Sequence, residues 1–183
     1  MTIQLVHLQR PAQGAAVQKF NLAQAQLARN FHSSIPGYSP TPLVNLPKLA
    51  ASLGVAGLYV KDESKRFGLN AFKVLGGSFA IASYIAEKLN LRREDLTFQL
   101  LTSPEVKAQL GPVTFVTATD GNHGRGVAWT ANRLGQRSVV YMPKGSAPER
   151  LKNIQALGAE ASITDLVYDD AVRLAKQQAA QNG

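Results

Sequence analysis

The stretch Val113-Thr-Phe-Val-Thr-Ala118, followed by Thr119-Asp-Gly-Asn-His-Gly-Arg-Gly126 and then Val127-Ala-Trp-Thr-Ala-Asn-Arg-Leu134, decides the fold. A β-branched run reads as a strand, three glycines in six residues as a sharp turn, and the apolar spacing from His123 to Leu134 as a helix. The same alternation continues outward. Arg137 to Met142 is a second strand, Pro148 to Leu157 a second helix ended by Gly158, Ala161 to Thr164 a weak third strand, and Tyr168 to Gln181 a third helix. Strands alternating with helices of this length predict an α/β fold with a parallel sheet and right-handed crossovers.

Upstream the pattern changes. The first 45 residues read as irregular, with one short helix at Asn21 to Arg29 and then Ile35-Pro-Gly-Tyr-Ser-Pro-Thr-Pro-Leu43, where three prolines forbid a helix and favour an extended strap. Leu46, Leu49, Ala50 and Leu53 have helical spacing, with Gly54 placed as a C-terminal cap, and Leu58 to Lys61 reads as a short strand. Phe72, Leu75, Phe79, Ala82 and Ile85 mark a long helix from Ala71 to Leu89. Gly76-Gly77 inside it costs about 1 kcal/mol per glycine relative to alanine. The pair signals either a close backbone approach or a helix break. Ser103 to Leu110 reads as a further short helix. A sheet that begins near residue 113 has only three strands by residue 164, so either earlier segments complete the sheet or the chain is a piece of something longer.

Composition removes several classes of function. The 183 residues contain no cysteine, which excludes a disulfide scaffold, a thiolate metal site and a cysteine nucleophile. Twenty Lys and Arg against twelve Asp and Glu give a net charge of +8, yet only Lys65-Arg66 and Arg92-Arg93 stand adjacent and no basic run interleaves with aromatics. That scatter argues against a nucleic-acid partner and leaves an anionic ligand as the simpler explanation. No leader pattern opens the sequence and no long apolar run spans it, so a cytoplasmic location without membrane attachment is expected.

Two segments carry candidate chemistry. The turn Thr119 to Gly126 lies at the carboxyl end of a predicted strand and opens a helix, the place where α/β folds offer backbone N–H groups to anions. It fails as a dinucleotide fingerprint, because Gly124 and Gly126 lack a third glycine at the required place. Asp120 reads as a helix cap or as a general acid/base, and His123 as a capping or packing residue with no cysteine to support a metal site. Lys73 is flanked by Phe72, Val74 and Leu75. It reads either as a snorkelling side chain or as a desolvated amine able to form a Schiff base.

Taken together, Lys73 at the head of its helix and Asp120-Gly-Asn-His-Gly124 after it resemble the fold-type II pyridoxal phosphate enzymes, the tryptophan synthase β and threonine dehydratase superfamily. The order of the two segments and their separation both agree with that pattern. The segments Lys61 to Ala80, Ala118 to Gly126 and Phe31 to Leu43 narrow the resemblance to the diaminopropionate ammonia-lyase family, over essentially the whole chain. Asp120 is the distinguishing mark, since serine and threonine dehydratases usually carry a serine version of this turn.

The resemblance implies a three-layer αβα parallel sheet of the tryptophan synthase β-like class, incomplete here. It implies residues 1–75 as part of the larger domain and 76–183 as the smaller, truncated α/β domain. It implies pyridoxal 5'-phosphate held by Lys73, with Asn122 on the cofactor's 3-hydroxyl oxygen. The substrate carboxylate would be bound by Thr119, Gly121 and His123, and Asp120 would remove the Cα proton of one enantiomer. The reaction implied is α,β-elimination of 2,3-diaminopropionate to pyruvate and ammonia, in a homodimer when full-length, with no metal. Family members are roughly twice as long, so the phosphate cradle, the residue facing the pyridine nitrogen and the second acid are expected outside this sequence, and the chain alone is expected to be inactive. A threonine or serine dehydratase-like enzyme and a non-enzymatic binding module are the alternatives.

Overall fold

The computed structural model describes residues 20–182. Eight α-helices and five strands follow in the order α1 (Leu22–Ser34), β1 (Leu43–Asn45), α2 (Pro47–Ser52), β2 (Tyr59–Lys61), α3 (Lys73–Lys88), α4 (Phe98–Leu101), α5 (Pro104–Leu110), β3 (Thr114–Ala118), α6 (Asn122–Arg133), β4 (Arg137–Met142), α7 (Pro148–Gln155), β5 (Glu160–Ile163) and α8 (Tyr168–Asn182). Strands β3, β4 and β5 form a parallel sheet in that order, with Val116 opposite Val139 and Val140 opposite Ala161.

Alternation along the strands sorts the helices onto two faces. Val140 and Met142 pack with Ala128 of α6 and Ile154 of α7. Val116, Ala118 and Tyr141 pack on the opposite face, with Ala171 and Ala175 of α8. The result is the expected αβα layering, built here from three strands.

Helices α1, α4 and α5 share a second core with α3. Phe31 and Ile35 at the end of α1, Val74, Ile81 and Ile85 of α3, Leu101, Val106 and Trp129 belong to one apolar cluster. This cluster explains why α1 runs past the expected end at Arg29: Phe31, 1% exposed, is its buried anchor. Pro36 then holds Ile35 in extended backbone and stops the helix. The expected boundary at residues 75 and 76 falls within the first turn of α3, which continues unbroken to Lys88.

The Gly76-Gly77 pair does not break the helix either. Gly77 is buried against α6, where an added Cβ would sit 3.8 Å from Gly126 and Val127, an ordinary contact, while a Cβ on Gly76 would meet nothing within 4 Å. Close backbone approach is required at Gly126 instead.

β1 and β2 form a separate antiparallel pair, with Val44 opposite Val60. The proline-rich strap before them is held by Arg66, which is 4% exposed. Its Nη1 donates to the Ser39 carbonyl at 2.8 Å and its Nε to Glu63 Oε2 at 2.9 Å. Thr41 in turn donates to Glu63 and Lys61 to the Thr41 carbonyl. The guanidinium also lies over the Tyr38 ring, 5.3 Å from its centroid.

Candidate active site

Lys73 is the first residue of α3 and is exposed. What carries it to the turn after β3 is the crossing of α3 and α6. A Cβ on Gly126 would lie 2.8 Å from Val74 Cα, 3.0 Å from Val74 N and 3.3 Å from the carbonyl carbon of Lys73. Only a residue without a side chain lets α6 lie against α3 at this point. The glycine pattern of the turn is therefore a packing requirement that sets Lys73 beside the first turn of α6.

Gly124 has a similar role on the other side of α6. Its Cβ would lie 2.3 Å from Thr119 Cγ2 and 2.9 Å from Val140 Cγ1. Helix and sheet thus meet through Gly124, and helix and helix through Gly126.

Thr119 is 2% exposed. Its amide donates to the Tyr141 carbonyl at 3.0 Å, and its hydroxyl accepts from Gly121 N–H at 3.0 Å. Both amides therefore have acceptors within the protein. Carboxylate binding through these two N–H groups would have to displace internal bonds. The amides of the first turn of α6 are different. Gly121 occupies the N-cap position and offers no side chain, so no capping group meets them. That end of the helix attracts negative charge.

Asn122 is the first residue of α6 and is exposed; His123 follows it and is half-buried. Burial pushes the His123 imidazole below its ordinary pKa of 6.5, and the charge of Lys73 pushes in the same direction. A neutral imidazole and an ammonium thus share one field. His123 also borders an open pocket of about 340 Å³ between the end of β3 and α8, together with Thr117, Tyr168 and Lys176. A larger cavity of about 500 Å³ lies between α3 and β3, around Ile81, Tyr84 and Phe115, and contains none of the candidate residues.

Asp120 lies at the surface, its side chain 69% exposed. Arg150 Nη1, from α7, donates to the Asp120 carbonyl at 3.0 Å and to its carboxylate at 3.3 Å. The Arg150 Cδ also lies 3.3 Å from the point where a Cβ on Gly121 would stand. Sequence reading had no signal for Arg150, whose partner is thirty positions away. It also passed over Arg125, although that residue stands inside the turn motif. Arg125 Nη1 donates to the Leu69 carbonyl at 2.9 Å, just ahead of Lys73.

The structure thus sets an exposed amine and a neutral imidazole in one field beside an uncapped helix end, with the Asp120 carboxylate at the surface on Arg150. The aldehyde of a cofactor fits the exposed Lys73 amine. The amine has no hydrogen bond or ion pair among the described residues, and Gly126 lets α6 lie against the backbone that carries it. Among those residues no cluster of three or more metal-ligating side chains occurs.

Comparison with known proteins defines the class. The model of the pyridoxal-phosphate dependent enzyme family matches residues 35–183, and the chain belongs to that family. Within it, the chain is 57% identical to the diaminopropionate ammonia-lyase of Escherichia coli K12, over 90% of this chain and 40% of that protein. It is 52% identical to the diaminopropionate ammonia-lyase of Salmonella typhimurium, over 93% of this chain and 42% of that protein. The crystal structure of the E. coli diaminopropionate ammonia-lyase in apo form superposes with a TM-score of 0.85 at 53% identity, covering 95% of this chain and 46% of that one. The chain therefore spans less than half the length of these relatives.

Proposed function

We propose that the chain supplies the amino-terminal part of a pyridoxal 5'-phosphate-dependent carbon–nitrogen lyase that converts 2,3-diaminopropionate to pyruvate and ammonia. The observation that carries this reading is the α3–α6 crossing, which sets Lys73 beside an Asp-Gly-Asn-His-Gly turn. The high identity to diaminopropionate ammonia-lyases supports the substrate, as does Asp120.

In this reading Lys73 would hold the cofactor and Asn122 would donate to its 3-hydroxyl oxygen. Bound pyridoxal phosphate would supply an electron sink for the charge left on Cα after deprotonation, which lets the β-amino group leave. Asp120 accepts the Cα proton of one enantiomer, and Arg150 Nη1, donating to its carboxylate, keeps it directed. The open amides at the start of α6, with His123, receive the substrate carboxylate; the Thr119 hydroxyl fixes the turn that presents them. The division into residues 1–75 and 76–183, a homodimer when full-length, and a cytoplasmic location belong to the same proposal. No helix among the described residues is long and apolar enough to cross a membrane.

The test is to mix the chain with pyridoxal phosphate, reduce with borohydride and map the modified peptide. Label confined to Lys73 and lost in Lys73→Ala is the expected result. Scattered label that survives the substitution overturns the assignment of Lys73.

A further inference from the structure

The loop Phe67-Gly-Leu-Asn70 leads into Lys73 through backbone that ordinary residues avoid. Phe67 has φ 49°, Gly68 φ 72° and Asn70 φ 57°, so two residues with side chains sit in the left-handed region. Such a conformation persists only when its surroundings impose it. Here they come from one face of α6. Trp129 packs against Phe67 with the rings tilted by 34° and their centroids 4.9 Å apart. One turn earlier on the same helix, Arg125 donates from Nη1 to the Leu69 carbonyl at 2.9 Å. Between these two fixed points the Leu69 side chain is driven into the core, 5% exposed. The next helical residues of the loop's chain meet α6 again, through the contact of Gly126 with Val74.

We propose that Arg125 is a positioning residue for Lys73: with Trp129 it clamps the left-handed loop 67–70 onto α6 and so fixes the point from which Lys73 projects. This rests on the reading of Lys73 as the cofactor lysine. The turn motif would then act twice, with Asn122 and His123 facing ligand while Arg125, on the next turn of the same helix, holds the lysine's loop. Arg125 Nε is buried without a hydrogen-bond partner among the described residues, so the guanidinium's visible tie is the one to Leu69.

The experiment compares the chain with Arg125→Met and Arg125→Lys. One readout is amide hydrogen exchange, which reports local opening residue by residue. The other is the rate and pH profile of borohydride-trapped pyridoxal phosphate labelling at Lys73, with exposed Lys48 as internal control. The proposal expects at least tenfold faster exchange at Gly68 to Lys73 in Arg125→Met, with β3 and β4 amides unchanged. It also expects at least tenfold slower labelling at Lys73 but not at Lys48, and partial recovery of both in Arg125→Lys. Unchanged exchange in Arg125→Met overturns the clamp without reference to the cofactor. Faster exchange with labelling at the original rate and pH profile overturns the positioning role. Should the unsubstituted chain leave Lys73 unlabelled, the failure lies in the reading of Lys73, and exchange alone then decides whether the clamp exists.

Discussion

Val74 Cα stands 2.8 Å from the place where a side chain on Gly126 would begin, and this single approach fixes the crossing of α3 and α6. Gly126→Ala must push the helices apart, because the nearest atoms are backbone and cannot rotate away. The expected cost is about 1–3 kcal/mol. Gly76→Ala places its methyl in open space within the same helix pair and is expected to stabilise by about 0.5–1 kcal/mol. Urea denaturation of both variants checks the pair, and opposite signs are the prediction.

Arg66 gives a second prediction. Its side chain is 5% exposed and that of its partner Glu63 19% exposed. Arg66→Met would fill much of the volume while leaving the Glu63 carboxylate without its cation and the Ser39 carbonyl without its donor. A loss of about 3 kcal/mol is expected. The double variant Arg66→Met, Glu63→Gln should recover part of it, since no unpaired charge remains. Thermal unfolding of the single and double variants distinguishes the two.

The pH dependence follows from two histidines. Burial holds both His32 and His123 below their ordinary 6.5. For His32, the Leu75 carbonyl opposes this by accepting from Nε2 at 2.7 Å, and the nearby Arg66 charge reinforces it. The unfolded chain therefore takes up protons near pH 6.5 that the folded chain still refuses. This contribution to stability is complete above pH 6.5 and is lost as pH falls through 6.5 toward the folded values. The melting temperature should fall between pH 7.5 and 5.5, and His32→Gln, which retains a donor for Leu75, should flatten that fall.

Ser34 joins α1 to α4. Its hydroxyl donates to the Phe31 carbonyl at 2.7 Å and accepts from Phe98 N–H at 2.7 Å. Ser34→Ala leaves that amide without an acceptor beside a buried ring, and a loss of about 1–3 kcal/mol is expected. Faster amide exchange at Phe98, beyond the change in global stability, would be its local signature.

Much of this architecture is legible from local chemistry. The β-branched run 113–118 and the strand 137–142 declare the sheet. Asn21 and Ser103 cap their helices by accepting from Gln24 and Val106, and Gly54 and Gly158 close theirs with φ of 66° and 85°. Lys73 and the turn at 119–126 stand out because glycines and apolar neighbours are informative without knowledge of the fold. What escapes such reading depends on contacts far along the chain. Arg66 lies in Lys61-Asp-Glu-Ser-Lys-Arg66, which reads as solvated surface, and is buried only because the Ser39 carbonyl and Glu63 meet its guanidinium. α4, four residues long, is too short for any periodicity to register. Likewise, nothing in the turn itself tells that the amides of Thr119 and Gly121 have internal acceptors; that requires β4 beside it and the hydroxyl of Thr119 folded back.

Thr119 also bounds how this turn can drift over generations. Its hydroxyl fixes Gly121, while its methyl fills the space that Gly124 leaves empty. A larger residue at 124 is admissible only after the methyl at 119 has gone and the Val140 side chain has given way. Serine at 119 keeps the hydroxyl bond and surrenders the methyl, so it is the permissive first step. Positions 119 and 124 are therefore sterically coupled, and the order of substitutions matters as much as their identity.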